Sequence, residues 1–164
     1  MTRRLAADVR IRPATEADIP SLGRLGASLM RLHYDFDRQR FLAPGSNSEE
    51  GYGWFLGCQL QDAEAVVFVA ERAGVVVGYV YAALEPLSWK ELRDAAGFIH
   101  DVVVDEAHRA GGIGSALIET ASLWLKAHGA PRVMLWTAER NHAAQRLFEQ
   151  AGFRRTMIEM TREL

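Results

Sequence analysis

His108-Arg109-Ala110-Gly111-Gly112-Ile113-Gly114-Ser115 places three glycines within four residues, where one hydrophobic pattern gives way to another. Before it, Phe98–Val104 is apolar and β-branched, as in a buried strand. After it, Ile113, Leu117, Ile118, Ala121 and Leu125 recur at helical spacing. Glycines at such a junction let the backbone curl with its N–H groups inward. The helix start adds unsatisfied donors and the positive end of its dipole. The natural guest is a phosphate or pyrophosphate, with Arg109 as a fixed charge at the rim. The dinucleotide spacing G-x-G-x-x-G is not met, and Gly114-Ser115-Ala116 lacks the lysine of a Walker loop. The pattern present is R-x-x-G-x-G, at Arg109, Gly112 and Gly114.

The elements that must position this loop follow from the rest of the chain. At 164 residues, 49% hydrophobic and 24% charged, it reads as one domain, residues 1–164, with a single well-filled core. A net charge of -2 argues against a nucleic-acid partner, which favours a basic face. Cys58 is the only cysteine, so no internal disulfide forms, and no spacing suggests a metal site. Met1–Ala7 lacks the apolar core of a signal peptide and no run is long enough to span a membrane, so a cytoplasmic location is expected. In order, the patterns predict a strand at Val9–Arg12 and a helix from the N-cap Thr15 through Ile19, Leu22, Leu25, Leu29 and Leu32. Gly23 and Gly26 either weaken that helix or let it pack closely. A second helix is read from Ser48 to Leu60, then strands at Ala65–Ala70 and Val75–Leu84 about an Ala73-Gly74 turn. After the glycine loop come a helix to about His128, a strand at Arg132–Thr137, a helix at Asn141–Gln150, and a last strand or hairpin over Phe153–Thr161. Strands that later alternate with helices imply an α/β protein, a mixed sheet with helices on both faces.

A second motif, Asn141-His142-Ala143-Ala144-Gln145-Arg146-Leu147-Phe148-Glu149-Gln150-Ala151-Gly152-Phe153, follows the glycine loop. Together the two segments resemble the GNAT N-acetyltransferases, whose signature is [QR]-x-x-G-x-[GA] after an apolar strand and N-x-x-A-x-x-L-[YF]-x-x-x-G-F near the domain end. The likeness in element order runs from about Val9 to the end. It implies a fold of about six to seven strands and acetyl-CoA as cosubstrate. It implies that Arg109, Ala110, Gly111, Gly112, Ile113, Gly114 and Ser115 hold the pyrophosphate. The backbone of Val102, Val103 and Val104 would pair with the pantetheine arm where the strand splays from its neighbour. Asn141 would bond the pantetheine, and Phe148 would lie near the thioester sulfur.

Acetyl transfer to an amine needs a base, a polarised carbonyl and a proton for the leaving thiolate. The expected bases are His100 and Asp101 on the central strand, then Glu139. In a regular strand only one of His100 and Asp101 faces the cleft. The backbone N–H of Val102 is the expected polariser. Attack is expected to be direct, because Cys58 has no activating base nearby in the sequence. Many family members have a tyrosine acid where this chain has Phe148, so Tyr34, Tyr79, Tyr81 or water must serve. The blocks Ile99–Val104 and Ala138–Asn141 are similar to the acidic pair and A-E-x-N turn of diamine acetyltransferases, which implies a small amine or polyamine-like acceptor, with His33 and Tyr34 lining its pocket. Two alternatives stay open: a weakly catalytic acyl-CoA-binding module, suggested by Phe148, and a peptide or protein N-acetyltransferase with an open groove. A homodimer is expected through the last strand and exposed aromatic positions.

Overall fold

A computed structural model describes residues 5–164; residues 1–4, part of the Met1–Ala7 stretch, lie outside the described residues. The chain forms β1 (Val9–Pro13), α1 (Ile19–Phe36), α2 (Ser48–Gln59), β2 (Ala65–Arg72), β3 (Val75–Glu85), β4 (Ala96–Val104), α3 (Ile113–Ala127), β5 (Val133–Leu135) and α4 (His142–Gln150). The five strands pair in chain order. β1 to β4 are antiparallel neighbours, and β5 joins β4 in parallel. Among the described residues, no helix is long and apolar enough to cross a membrane.

Strand alternation divides the core into two layers. On one face Val67, Val69, Tyr79, Tyr81 and Val103 pack with Leu22, Leu25 and Leu56 of α1 and α2. On the other, Phe68, Ala70, Val80 and Ile99 pack with Leu117, Ile118, Ala121 and Leu125 of α3. Helices therefore cover both faces, as the alternation of elements predicts. Because both faces are covered, β3 and β4 carry near-continuous apolar runs rather than a simple in–out pattern.

The start of α1 is fixed electrostatically. A 3₁₀ turn at Glu16–Asp18 precedes it, and Asp18 accepts from the Thr15 backbone N–H at 2.8 Å. The guanidinium of Arg12 bonds both Asp18, at 2.8 Å, and Glu71 of β2, at 2.8 Å. That contact, with the Thr15 bonds, holds the buried Asp18 carboxyl down at about 2. Gly23 and Gly26 serve close packing. A Cβ on Gly23 would sit 2.2 Å from the Glu49 carbonyl of α2, and one on Gly26 would sit 2.0 Å from the Tyr52 ring. Their absence brings α2 against α1 and points Tyr52 toward the sheet.

The expected last strand over Phe153–Thr161 is not formed, so the sheet has five strands rather than six to seven. Residues 154–164 are exposed, including Met157, Ile158 and Met160, so neither face of this segment gains from burial. Its links are side-chain ion pairs, Arg155 with Glu149 and Arg40 with Glu159. β5 is also shorter than the pattern suggests, ending at Leu135 rather than Thr137.

The close approach at Gly23 gives a paired prediction. Gly23→Ala should lower the unfolding free energy in urea by about 1–3 kcal/mol, as overpacking does. Gly51→Ala, in α2 with open space at its Cβ, should instead raise it by about 0.5–1 kcal/mol through helix propensity.

Candidate active site

The site begins where the sheet opens. β4 and β5 are in register only at Gly97–Val133, Phe98–Met134 and Ile99–Leu135. Beyond Ile99, β4 continues for five residues and β5 has ended. The Asp105 N–H donates to Val77 of β3, and the Val103 carbonyl lies beside Gly78. Main-chain groups alternate sides along a strand, so those of Val102 and Val104 face the gap. Arg109 confirms the direction for one of them: its Nε donates to the Val104 carbonyl at 3.2 Å. Val103 faces the other way, with its side chain buried against α1 and α2. Of the three valines, Val102 and Val104 offer backbone to the gap.

At the far end of β4 the glycine loop curls as its sequence suggests. Its left-handed residues are Gly112, at φ 80°, and Ala110, at φ 65°. Ala110 carries strain of about 1–2 kcal/mol in that conformation, which the surrounding turn must sustain. Gly112 is the N-cap of α3. The first α3 amide with a carbonyl partner is that of Ala116, to Gly112 at 3.0 Å. The amides of Ile113, Gly114 and Ser115 ahead of it are the free donors of a helix start. A turn and helix start of this kind form a concave anion site.

Two adjoining cavities open beside the gap. The smaller, about 60 Å³, is bordered by Ile99, Val102, Leu135, Trp136, Asn141 and Phe148, and so lies between the diverging strands and α4. The larger, about 220 Å³, is bordered by Leu29, Met30, His33, Phe41, Leu42 and Tyr52. Leu29, His33, His100 and Asp101 border both. A β-bulge makes the last two possible together. Tyr81 pairs with Asp101 and Ala82 with Ile99, leaving His100 as the extra residue. A regular strand would expose only one of them.

Asp101 is the electrostatic centre of this corner. Its Oδ2 accepts from Tyr52 at 2.7 Å and from Tyr79 at 2.9 Å. Burial raises its pKa above the usual carboxylate range, and the two phenol bonds pull part of the way back. Burial and the nearby carboxylate push both phenols up, so they stay protonated donors. Burial also lifts Tyr81, to about 12. His100 stacks between Tyr81 and Phe98, with centroids 4.9 and 5.0 Å away, and its Nε2 lies 2.9 Å from Glu85. The His33 Nδ1 lies 2.9 Å from the Leu29 carbonyl. A carbonyl only accepts, so Nδ1 carries the proton and Nε2 of the neutral ring is left as an acceptor.

The remaining sequence candidates fall in different places. Asn141 borders the smaller cavity and also caps α4, its Oδ1 accepting from Ala144 at 3.1 Å. Phe148 borders the same cavity and packs edge-on to Phe153 at 6.0 Å. Glu139 sits on the exposed turn before α4, outside the lining of both cavities. Tyr34 also lies outside both, with Arg38 over its ring. Cys58 is exposed on α2. Among the described residues, no group of three or more His, Cys, Asp or Glu side chains is placed to hold a metal ion. Tyr52 was not foreseen as a partner of Asp101; the signal was Gly26, one turn of α1 stripped of its side chain opposite a tyrosine.

Residues 28–153 match the family model described as the acetyltransferase (GNAT) family. The mycothiol acetyltransferase of Thermobispora bispora is 34% identical over 93 residues, 57% of this chain and 31% of that protein. The chain thus spans about a third of the length of this curated relative. An uncharacterized N-acetyltransferase of Bacillus subtilis, YhfO, is 26% identical over 147 residues, 88% of this chain and 89% of its own. Among solved structures, aminoglycoside N-acetyltransferase AAC(6')-Iy, in complex with CoA, has the same fold. Its TM-score is 0.74 at 16% identity, over 95% of this chain and 94% of that one.

The environment of Asp101 predicts a pH effect on stability. Its folded pKa is raised, so between the ordinary value and the raised one the folded state holds a proton that the unfolded state has released. The unfolding free energy should therefore fall as pH rises through that window. Urea titrations across pH should show this decline in the wild type and not in Asp101→Asn. Tyr52→Phe, which removes one lowering bond, should extend the decline to higher pH.

Proposed function

The chain belongs to the GNAT acetyltransferase family, and on that premise we propose that it moves an acetyl group from acetyl-CoA to a primary amine of a small molecule. Transfer is by direct attack in a ternary complex. The observation that carries this reading is the gap past Ile99–Leu135. It runs from a helix start with free amides, along main chain of β4 that has no β5 partner, to a corner holding the half-buried carboxylate of Asp101.

Acetyl-CoA fits these residues. The amides of Ile113, Gly114 and Ser115, with the curled backbone at Ala110–Gly112, would hold its diphosphate, and Arg109 would add charge at the rim. Val102 and Val104 would pair with the amides of its arm as an added strand does. Asn141 and Phe148 border the narrow end. When bound, the cosubstrate supplies the activated acyl group as a thioester.

The protein's own groups do the rest. An alkyl amine is mostly protonated near neutral pH, so a base must take its proton before attack. Asp101 is suited to this, because burial lifts its pKa toward the working range and two tyrosines fix its orientation. The Val102 N–H polarises the thioester carbonyl, and the C–N bond forms as the C–S bond breaks. Phe148 has no acidic proton to give. Tyr79 and Tyr81 are buried, Tyr34 lies outside the cavities, and the Tyr52 hydroxyl is already given to Asp101, so solvent protonates the departing thiolate.

Calorimetric titration with CoA should give one site, weakened about tenfold in Gly112→Ala by the left-handed strain of roughly 1–2 kcal/mol at that position. Asp101→Asn should lower kcat for thiol release about 100-fold or more, the range of a general base, with CoA affinity kept. CoA binding without thiol release on any amine would favour the binding-module reading that Phe148 suggests.

A further inference from the structure

The larger cavity says more about the acceptor than the family does. Its wall is apolar: Leu29 and Met30 from α1, Phe41 and Leu42 from the following loop, and the Tyr52 ring from α2. The polar groups that border it, Asp101, His33 and His100, all belong to the corner it shares with the smaller cavity. Its polarity is therefore graded, greasy at the far wall and anionic where the acyl group would lie.

We infer that the acceptor is a monoamine with a compact apolar or aromatic body, which enters amine first; this rests on the acetyl-transfer reading above. Three observations support it. Burial of an apolar body against Leu29, Met30, Phe41 and Leu42 is favourable, whereas a polar or charged body would lose hydration there without hydrogen-bond partners. At about 220 Å³ the cavity is below the range that holds drug-sized ligands, and suits a single ring or short branched chain. A polyamine needs a second anion for its second cation. Asp101 is the one carboxylate in the lining, and the rim segment 31–42 carries three arginines against two aspartates, with Arg40 also engaging a further rim carboxylate, Glu159. The His33 Nε2, left free by the Nδ1 bond to Leu29, adds a hydrogen-bonding position for one amine and is not a carboxylate.

The acceptor implied here departs from the polyamine-like one suggested by the likeness of Ile99–Val104 to diamine acetyltransferases. In that comparison one acid of the pair is replaced by His100, whose Nε2 is taken up by Glu85.

The experiment compares phenethylamine with spermidine under acetyl-CoA saturation, in the wild type and in Leu42→Glu. Leu42 is 77% exposed at the rim, so this substitution does not disturb the core. The wild type should show kcat/KM higher for phenethylamine than for spermidine by about tenfold or more, the scale on which pockets sort apolar from mismatched groups. Leu42→Glu should narrow or reverse that preference. A wild-type preference for spermidine, or an unchanged ratio in Leu42→Glu, overturns the inference. Calorimetry with phenethylamine on the CoA-loaded protein separates this from failure of acetyl transfer. Heat of binding that is weakened in Leu42→Glu supports the pocket even without turnover. No phenethylamine binding, with CoA bound normally, overturns the pocket and leaves the CoA site standing.

Discussion

A sheet that comes apart at its centre is the constraint around which this molecule is arranged. Backbone N–H and C=O groups inside a protein are nearly always paired. Here β4 loses its β5 partner after Ile99 and continues to Val104 between two helical layers. The main chain of Val102 and Val104 is thereby left facing a narrow gap rather than a neighbouring strand. On the function proposed above, this edge serves as a template for an extended, amide-bearing ligand with an anionic end.

The second consequence of the opening is the placement of Asp101. A carboxylate in this position faces burial on one side and the cavity on the other. Tyr79 reaches it from the neighbouring strand, and Tyr52 reaches it from α2 only because Gly26 lets that helix come close. Packing of α2 on α1, elements remote in sequence from the glycine loop, thus sets the electrostatics of the corner. The bulge at His100 then adds a second titratable side chain where a regular ladder would allow one.

The sequence made much of this legible. The switch from β-branched run to helical periodicity located the loop, and the alternation of elements located the helices on both faces. Local chemistry was also readable where it depended on neighbours in the chain, as at the N-cap Thr15. What was not readable depended on distant partners. The bulge is a register event between β3 and β4, and single-strand periodicity carries no record of it. Tyr52 became visible as a partner of Asp101 only through α1–α2 packing. Phe153–Thr161 has strand-like composition, yet composition does not supply a partner strand, and in the structure Met157, Ile158 and Met160 remain in solvent. The loop adds a related point: of its two left-handed residues one is Gly112 and the other is Ala110, which glycine spacing does not mark.

The most direct measurement is residue-resolved amide hydrogen exchange with and without CoA. The free-edge arrangement predicts new protection at Val102 and Val104 and at Ile113, Gly114 and Ser115, with Val103, already directed toward β3, little changed. Protection confined to other segments, or CoA binding that leaves the Val102 and Val104 amides exchanging as before, would contradict it.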